Sequence, residues 1–265
     1  MIPNILSIAG SDPSGGAGIQ ADIKAISANG GYGMAVLTAL TAQNTTGVFG
    51  LDLVAPPFVR AQIQAILDDI RVDAVKIGML GTAPIIDAVA DTLQPLAIPL
   101  VLDPVMVAKG GDRLLEEAVV QALRTRLLPL ATILTPNLPE AADLLGRPQA
   151  RTRAEMEDQA QALMALGPRA ILIKGGHLAA EDSPDLFLSA TARLWIAAPR
   201  LATQNTHGTG CTLSSALATQ LALTGDTLRA ARAAKAYTLG AIRGAARLGV
   251  GHGHGPTDHF FDQRS

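Results

Sequence analysis

Short, mostly aliphatic runs alternate with longer helical patterns along most of this chain. Continuous aliphatic strands are typical of a parallel sheet whose two faces are both covered by helices. Crossovers between such strands are right-handed, so the pattern predicts a doubly wound, mostly parallel sheet between two helix layers. The predicted strands are residues 5–9, 34–42, 74–79, 99–102, 132–135 and 170–174.

Helices are predicted between these strands and after the last of them. Residues 185–189 and 193–196 interrupt the alternation and predict a small hairpin at one edge of the sheet. No linker, repeat or low-complexity block divides the sequence, so residues 1–265 are expected to form a single domain. The predicted helices are residues 19–28, 57–70, 84–93, 114–127, a segment from residue 140, 153–166, 212–222 and 227–248.

Composition excludes several classes of function. The net charge of −2 offers no electrostatic footprint for nucleic acid or an anionic membrane. The two long uncharged stretches, 25–51 and 201–225, are rich in Gly, Thr, Asn and Gln, which argues against a membrane span. A single cysteine excludes an internal disulfide and suits a reducing cytoplasm. A signal peptide is not expected, because Gly10-Ser-Asp-Pro13 interrupts the N-terminal apolar run.

The segment Asn205-Thr-His-Gly-Thr-Gly-Cys211, here called the glycine turn, precedes an uncharged helix. Free backbone N–H groups and the positive end of the helix dipole make such a turn a site for anions. The positive electrostatic field of the helix end is also expected to lower the pKa of the Cys211 thiol. A phosphate seat beside a nucleophile or proton acceptor suggests phosphoryl transfer. A buried structural cysteine after an ordinary turn is the alternative.

Residues 10–18, the glycine-rich loop, follow the first predicted strand. The stretch Gly16-Ala-Gly-Ile-Gln-Ala21 matches a dinucleotide-binding fingerprint, but the second strand carries no acid to hold a ribose. No Gly-Lys-Ser/Thr follows the glycines, so a Walker A loop is excluded as well. The loop is interpreted as a place where a substrate approaches the backbone closely, with a simple tight turn as the alternative.

Polar residues stand where several predicted strands end, at the edge where such sheets bind ligands. Gln43 could hydrogen-bond a planar heterocycle or simply form a turn. Asp103 requires a cation or another partner, which makes a magnesium-linked role one option. Asn137 and Glu140 match both a helix capping box and a magnesium ligand set. Lys174 stands at the end of another strand and is expected to face the same crevice, with an ordinary solvated lysine as the alternative.

Two further patterns concern basic residues. The chain has 21 Lys and Arg together, and only five of them are lysines, so Lys76, Lys109, Lys174 and Lys235 are candidates for positions that need a compact ammonium. His252, His254 and His259 lie among glycines near the C-terminus, where a flexible surface tail is favoured over a metal site.

Seven motifs in order closely resemble the hydroxymethylpyrimidine/phosphomethylpyrimidine kinases of thiamine biosynthesis, within the ribokinase-like superfamily. The resemblance covers nearly the whole chain, so a fused second enzyme is not expected within these 265 residues. The motifs are Gly10-Ser-Asp-Pro-Ser-Gly-Gly-Ala-Gly-Ile-Gln-Ala-Asp-Ile-Lys24, Thr38-Ala-Leu-Thr-Ala-Gln-Asn44, Lys76-Ile-Gly-Met-Leu80, Asp103-Pro-Val-Met106, Thr135-Pro-Asn-Leu-Pro-Glu140, Lys174-Gly-Gly-His177 and His207-Gly-Thr-Gly-Cys211.

The resemblance implies a three-layer ribokinase-like fold and ATP-dependent phosphorylation of 4-amino-5-hydroxymethyl-2-methylpyrimidine, then of its monophosphate to the diphosphate. It also implies ATP and Mg²⁺ as cofactors and a homodimer. The residues that it assigns are a substrate pocket of Gly10, Asp22, Gln43, Met79, Val105 and Cys211, a phosphate cradle of Gly208, Thr209 and Gly210, magnesium-linked acids Asp103 and Glu140 with Asn137 alongside, and ATP-side contacts Lys174 and Lys235.

Most of the superfamily reads Gly-Thr-Gly-Asp, with the Asp as general base, whereas this chain has Cys211 there. We hypothesise that Cys211 accepts the proton and that the amides of Gly208, Thr209 and Gly210 stabilise charge on the transferring phosphoryl group. Two alternatives stay open, a pyridoxal or pyridoxine kinase of the same superfamily and a non-catalytic pyrimidine sensor.

Overall fold

The computed structural model describes residues 1–106, 117–178 and 182–263. Within them, nine strands join into one sheet. The strands are β1 (Asn4–Ser11), β2 (Tyr32–Asn44), β3 (Gly47–Leu53), β4 (Ala74–Ile77), β5 (Leu100–Leu102), β6 (Ile133–Leu134), β7 (Ala170–Lys174), β8 (Asp185–Ser189) and β9 (Arg193–Ile196).

Eight α-helices accompany these strands in the described part of the chain. They are α1 (Gly18–Ala28), α2 (Pro56–Leu67), α3 (Ala83–Leu93), α4 (Glu117–Ala122), α5 (Leu138–Leu145), α6 (Arg153–Met164), α7 (Thr209–Thr224) and α8 (Thr227–Gly244). A π-helical turn (Leu123–Leu127) continues α4, and a 3-10 turn (Ala245–Arg247) continues α8.

The sheet runs in the order β3-β2-β1-β4-β5-β6-β7-β8-β9. From β2 to β7 the neighbouring strands are parallel, whereas β3, β8 and β9 are antiparallel to their neighbours. The expected α/β fold, with a mostly parallel sheet and an edge hairpin of β8 and β9, is confirmed.

Two hydrophobic clusters fill the two sides of the sheet. Successive side chains of a strand point to opposite faces, so Leu6 and Ile8 enter one cluster and Ile5 enters the other. The first cluster receives residues from α2, α3, α5 and α6, and the second receives residues from α1, α7 and α8. Burying one such aliphatic side chain contributes about 1.5–3 kcal/mol, so both helix layers are firmly attached.

Several boundaries differ from the sequence predictions. The strand β3 was not predicted, because none of its residues is buried and Gly50 interrupts its apolar residues. Its pairing partner β2 extends two residues beyond the predicted strand at each end. The predicted helix 114–127 is described only from Glu117, and its last five residues form the π-helical turn. Residues 114–116 and Lys109 lie outside the described part of the chain.

Candidate functional site

A cavity of about 820 Å³ opens at the carboxyl ends of the parallel strands, which is where ligands of open α/β sheets bind. Every site residue predicted from the sequence lines this cavity with the exception of Asp22. The lining includes Gly10, Gln43, Met79, Asp103, Val105, Asn137, Glu140, Lys174, Gly208, Thr209, Gly210, Cys211 and Lys235.

Asp22 lies beneath the cavity wall with no exposed surface. Its carboxylate accepts hydrogen bonds from the ammonium of Lys76 at 2.8 and 2.9 Å and from the hydroxyls of Ser7 and Ser215. Lys76 is also fully buried. Burial on its own lowers the pKa of Lys76, but attraction to Asp22 and to neighbouring groups outweighs burial and raises it. Lys76 therefore remains charged inside the protein.

The glycine turn depends on the backbone freedom of Gly208. Its φ of +72° lies in the left-handed region, and a Cβ at this position would come 1.8 Å from the carbonyl oxygen of Gly16. The helix α7 begins directly afterwards at Thr209. Because the first N–H groups of a helix have no partners within the helix, the turn presents backbone donors and the positive end of the dipole to the cavity.

A lysine–carboxylate pair lies under this turn. Lys174 Nζ is 2.8 Å from Asp103 Oδ1, and a Cβ on Gly210 would lie 3.2 Å from Asp103 Oδ2. Burial favours the protonated form of Asp103, but the charges of Lys174 and Lys76 hold its pKa below the usual range. Burial likewise opposes the charge on Lys174, and Asp103 and Glu140 outweigh it, which raises the pKa of Lys174. Both partners are therefore charged.

The pKa of Glu140 is raised, in contrast to that of Asp103. It forms a capping box with Asn137, in which each side chain accepts a hydrogen bond from the other residue's backbone N–H, at 2.7 and 2.9 Å. Burial raises its pKa to about 7, because the attraction of Lys174, 3.7 Å away, is partly cancelled by the repulsion of Asp103. Glu140 therefore caps α5 and also lines the cavity.

These acids fit the needs of Mg²⁺. This ion takes hard oxygen ligands, usually one or two carboxylates completed by water and substrate phosphates. In the described part of the chain no group of three His, Cys, Asp or Glu residues could hold a metal ion alone. Asp103, Asn137 and Glu140 line the cavity together, so their side-chain oxygens are the hard ligands available there. The Asp103 carboxylate already has Lys174 as a partner at 2.8 Å, whereas Lys174 lies 3.7 Å from Glu140.

Cys211 stands in the first turn of α7 and is partly exposed. The expectation that the helix N-terminus lowers its pKa is wrong. Burial raises the pKa of the thiol to about 11, and the charge of Lys76 and a hydrogen bond from the Gly18 backbone N–H oppose this shift only in part. Loss of water around the sulfur therefore outweighs the favourable field, and the thiol is protonated at neutral pH.

Another lysine of this region, Lys235, extends from α8. Its ammonium lies 2.8 Å from Asp185 Oδ2 and donates to the carbonyl oxygen of Ser183 at 3.0 Å. Burial raises the pKa of Asp185, and the charge of Lys235 offsets this only in part. Lys235 and Lys174 thus lie on the same wall of the cavity, each held by a buried carboxylate.

The C-terminal segment is only in part the surface tail that was predicted, since His252 and His254 are exposed but the residues after them are buried. Thr257, Asp258 and His259 are buried, and His259 Nε2 lies 3.0 Å from the hydroxyl of Thr212 on α7. The backbone N–H of His254 donates to the carbonyl oxygen of Thr45, and its side chain lines the cavity. The three histidines are separated in this way and do not gather into a metal site.

Two cavity residues received no role from the sequence. Asp12 and His207 lie in motifs that were recognised, yet they are 195 positions apart in the chain. Their side chains form a buried pair with 2.7 Å between His207 Nε2 and Asp12 Oδ2. The sequence signal that could have pointed to this pair is that one glycine-rich motif contains an acid, another contains a histidine, and both motifs precede helices.

The arrangement of strands, helices and cavity is that of the ribokinase-like class of α/β proteins. The family model described as phosphomethylpyrimidine kinase matches residues 12–258. A hydroxymethylpyrimidine/phosphomethylpyrimidine kinase of Escherichia coli strain K12 is 51% identical over 258 residues, which cover 97% of each chain. The chain belongs to this family of phosphomethylpyrimidine kinases.

Solved structures agree on the fold. An ADP complex of Bacillus subtilis pyridoxal kinase superimposes with a TM-score of 0.92 at 37% identity, covering 100% of both chains. A phosphomethylpyrimidine kinase from Clostridium difficile has a TM-score of 0.79 at 40% identity, covering 89% of this chain and 97% of that one. Within the described part of the chain, no helix is both long and apolar enough to cross a membrane.

Proposed function

We propose that this protein transfers the γ-phosphoryl group of ATP to hydroxymethylpyrimidine, and then a second one to the resulting phosphomethylpyrimidine. The observation that carries the proposal is the position of the glycine turn above the Asp103–Lys174 pair, within the same cavity as Gln43 and Met79. Membership of the family and the ADP complex of the related pyridoxal kinase support the use of a nucleotide.

The pyrimidine half of the cavity is proposed to contain Gly10, Gln43, Met79 and Val105. A Cβ on Gly10 would lie 2.6 Å from Met79 Cε, so glycine leaves the methionine side chain room to cover a flat ring. The Gln43 amide can donate to and accept from a heterocycle edge. Asp22 is proposed to act from below the wall, since it holds Ser215 on α7, one helical turn after Cys211.

The phosphoryl half is proposed to contain the glycine turn, Lys174 and Lys235. Backbone amides of Gly208, Thr209 and Gly210 would stabilise charge on the transferring group, and the lysines would face the nucleotide phosphates. Glu140 and Asp103, with Asn137 nearby, are the residues that would hold Mg²⁺. The ion would neutralise phosphate charge, while the protein residues position the two substrates.

Cys211 is proposed to receive the proton of the substrate hydroxyl. With a pKa of about 11 the resting thiol is protonated, so this role is open only to the minor thiolate fraction, which Lys76 and the Gly18 N–H favour. Cys211→Asp should then retain more turnover than Cys211→Ala. Near-normal turnover of Cys211→Ala would remove the base role and leave transfer to positioning and charge neutralisation alone.

The proposed activity is tested by measuring ADP release with Mg²⁺-ATP and three separate acceptors: hydroxymethylpyrimidine, its monophosphate and pyridoxal. We expect both pyrimidines to stimulate ADP release, with products one phosphoryl group heavier by mass spectrometry. Lys174→Met provides the inactive control. Release of ADP with pyridoxal alone would assign the chain to the second candidate function, which the 0.92 TM-score to a pyridoxal kinase favours. No turnover with any acceptor would favour the non-catalytic sensor.

A homodimer is proposed to form through β2 and β3. The strand β3 is an open edge of the sheet, and Leu40, Phe49 and Leu51 on this hairpin are 48%, 70% and 50% exposed. An unpaired edge with apolar side chains is costly in a monomer, and a two-fold axis would cover the same surface on both copies. The cytoplasm is the proposed location, since a single cysteine is consistent with a reducing compartment.

A further inference from the structure

The glycine-rich loop is organised around one buried carboxylate. Asp12 Oδ1 accepts hydrogen bonds from the backbone N–H and the hydroxyl of Ser14, at 2.9 and 2.7 Å, and Oδ2 accepts from the backbone N–H of Ala17 at 2.8 Å. The loop is also tied to α1, where the ammonium of Lys24 donates to the carbonyl oxygen of Gly15. The shape of the loop therefore depends on an ionised Asp12.

The same carboxylate connects the loop to the glycine turn. His207 Nε2 lies 2.7 Å from Asp12 Oδ2, and both side chains are almost fully buried. Burial alone would favour protonated Asp12, but the hydrogen bonds from His207 and Ser14 keep its pKa below the usual value. The pair consequently joins an ionised carboxylate on the loop to a donor at the start of the turn.

The two segments are in direct contact around this pair. A Cβ on Gly16 would come 2.3 Å from His207 Cδ2, and a Cβ on Gly208 would come 1.8 Å from the carbonyl oxygen of Gly16. Each segment has a glycine where the other approaches it. The backbone of the turn thus rests on the backbone of the loop, so a shift in either one displaces the other.

Cys211 is affected by this contact. The backbone N–H of Gly18, the last residue of the loop, faces the Cys211 thiol and acts to lower its pKa. Because Asp12 fixes the loop and His207 fixes the loop to the turn, the pair determines where this donor stands relative to the thiol.

Gln43 is affected as well. Its Nε2 lies 3.4 Å from His207 Nε2. A histidine nitrogen that donates its proton to Asp12 has no lone pair left for a second donor. The Gln43 amide N–H is therefore left for an acceptor in the cavity, such as a ring nitrogen.

We infer that His207 and Asp12 form a positioning pair that couples the pyrimidine half of the cavity to its phosphoryl half. They hold the loop against the glycine turn, with the Gly18 N–H beside Cys211, and leave the Gln43 amide directed to the substrate. Neither residue takes part in the chemistry itself. The inference rests on the proposed function, because it concerns the alignment of the same two substrates.

The test uses Asp12→Asn, His207→Leu, His207→Gln and the double variant Asp12→Asn/His207→Leu in the full chain. Asp12→Asn and His207→Leu should each lower kcat about 10- to 100-fold and raise KM for the pyrimidine, since small misplacements of reacting groups have effects of this size. KM for ATP should change less. Glutamine can place a donor near the position of His Nε2, so His207→Gln should recover most of kcat.

Two readouts separate positioning from stability. The double variant should be no slower than the slower single variant, because either change breaks the same contact. Alkylation of Cys211 by iodoacetamide at fixed pH should become at least several-fold faster in both single variants, as the loop is no longer held beside the partly exposed thiol. Asp73→Asn is the matched control, since Asp73 pairs with Arg71 at the opposite end of the strands. It should change neither kcat nor the alkylation rate.

Wild-type kcat and KM in Asp12→Asn and His207→Leu, or independent multiplicative losses in the double variant, would overturn the inference. Unfolding of a variant would be detected by its melting curve, and His207→Gln then supplies the deciding comparison. Failure of the proposed function is distinguishable, because wild-type protein would then release no ADP with either pyrimidine. The alkylation rates would still test the coupling in that case.

Discussion

The ammonium of Lys174 lies 2.8 Å from Oδ1 of Asp103, although Lys174 ends β7, Asp103 directly follows β5, and β6 lies between these two strands in the sheet. The pair bridges this gap at the carboxyl ends of the strands, directly under the glycine turn. It combines a buried carboxylate with a cation that can also face a phosphate, so the charge balance of the cavity depends on it.

Replacing Lys174 should therefore reduce activity strongly. In Lys174→Met, Asp103 loses its principal counter-charge, and the cavity loses a donor for the transferring group. We expect kcat/KM for ATP to fall at least about 100-fold, the usual scale for loss of one electrostatic contact in a closed site. Lys174→Arg keeps the charge but not the compact shape, so it should recover only part of the activity. Steady-state kinetics that leave Lys174→Met unchanged would contradict this account of the site.

Gly208→Ala should disrupt the glycine turn. The substitution meets a backbone oxygen at 1.8 Å and a φ of +72°, so the turn must move away from the loop. Gly225→Ala, at the other end of α7, is the matched control because its φ is +67° with no atom within 4 Å. Both changes should lower the melting temperature, and only Gly208→Ala should lower kcat by more than tenfold. Equal kinetic effects in the two variants would show that backbone strain alone is responsible.

The buried Lys76–Asp22 pair should matter more for stability than for substrate contact. Lys76→Met leaves an unpaired carboxylate in the interior, which costs about 3–5 kcal/mol when a buried pair is broken. Adding Asp22→Asn should restore part of this loss, since the remaining charge is removed. Urea denaturation of the three variants measures the effect. Arg71→Met breaks an exposed pair and serves as the comparison. If Lys76→Met lost no more stability than Arg71→Met, the buried Lys76–Asp22 pair would contribute no more to stability than an exposed pair.

The raised pKa of Cys211 predicts how the thiol reacts with pH. A group with a pKa of about 11 is almost entirely protonated at pH 7, and its thiolate fraction rises about tenfold for each pH unit up to that value. Cys211 is the only cysteine, so iodoacetamide alkylation reports on it alone. The logarithm of the rate should rise linearly from pH 7 to pH 10. A plateau near pH 9 would instead indicate an ordinary thiol with a pKa of about 8.5.

The proposed dimer makes a prediction about Phe49, which is 70% exposed on the edge strand β3. Phe49→Glu places a charge on the surface that two copies would bury, so it should shift the protein to monomers. Leu223→Glu, at a 49% exposed position near the end of α7, should leave the assembly unchanged. Analytical ultracentrifugation across a concentration series distinguishes the species. A wild-type monomer at all concentrations would remove the proposed interface.

The sequence predicted those parts of the fold in which one local pattern decides the structure. The bounds of β7, β8 and β9 were predicted to the residue, since each is a short apolar or alternating run between clear turn residues. The strand β3 has no buried residue, so its pairing with β2 left no hydrophobic pattern to detect.

In the candidate site, too, the features that a local sequence pattern decides were predicted, and those that depend on distant packing were not. Side chains at strand ends were predicted to meet because parallel strands share one edge, and Gln43, Asp103, Asn137 and Lys174 do line one cavity. The contact of Asp12 with His207 could not be predicted, since it depends on how two distant loops pack. The thiol pKa was predicted in the wrong direction, because the helix position is visible in the sequence whereas burial is not.

The most direct test of the central claim is a mass-resolved time course of hydroxymethylpyrimidine with excess Mg²⁺-ATP and the wild-type protein. The account predicts that the monophosphate appears first and then declines as the diphosphate accumulates, with one ADP released for each phosphoryl group transferred. A pyrimidine that remains unmodified while pyridoxal is phosphorylated under the same conditions would contradict it.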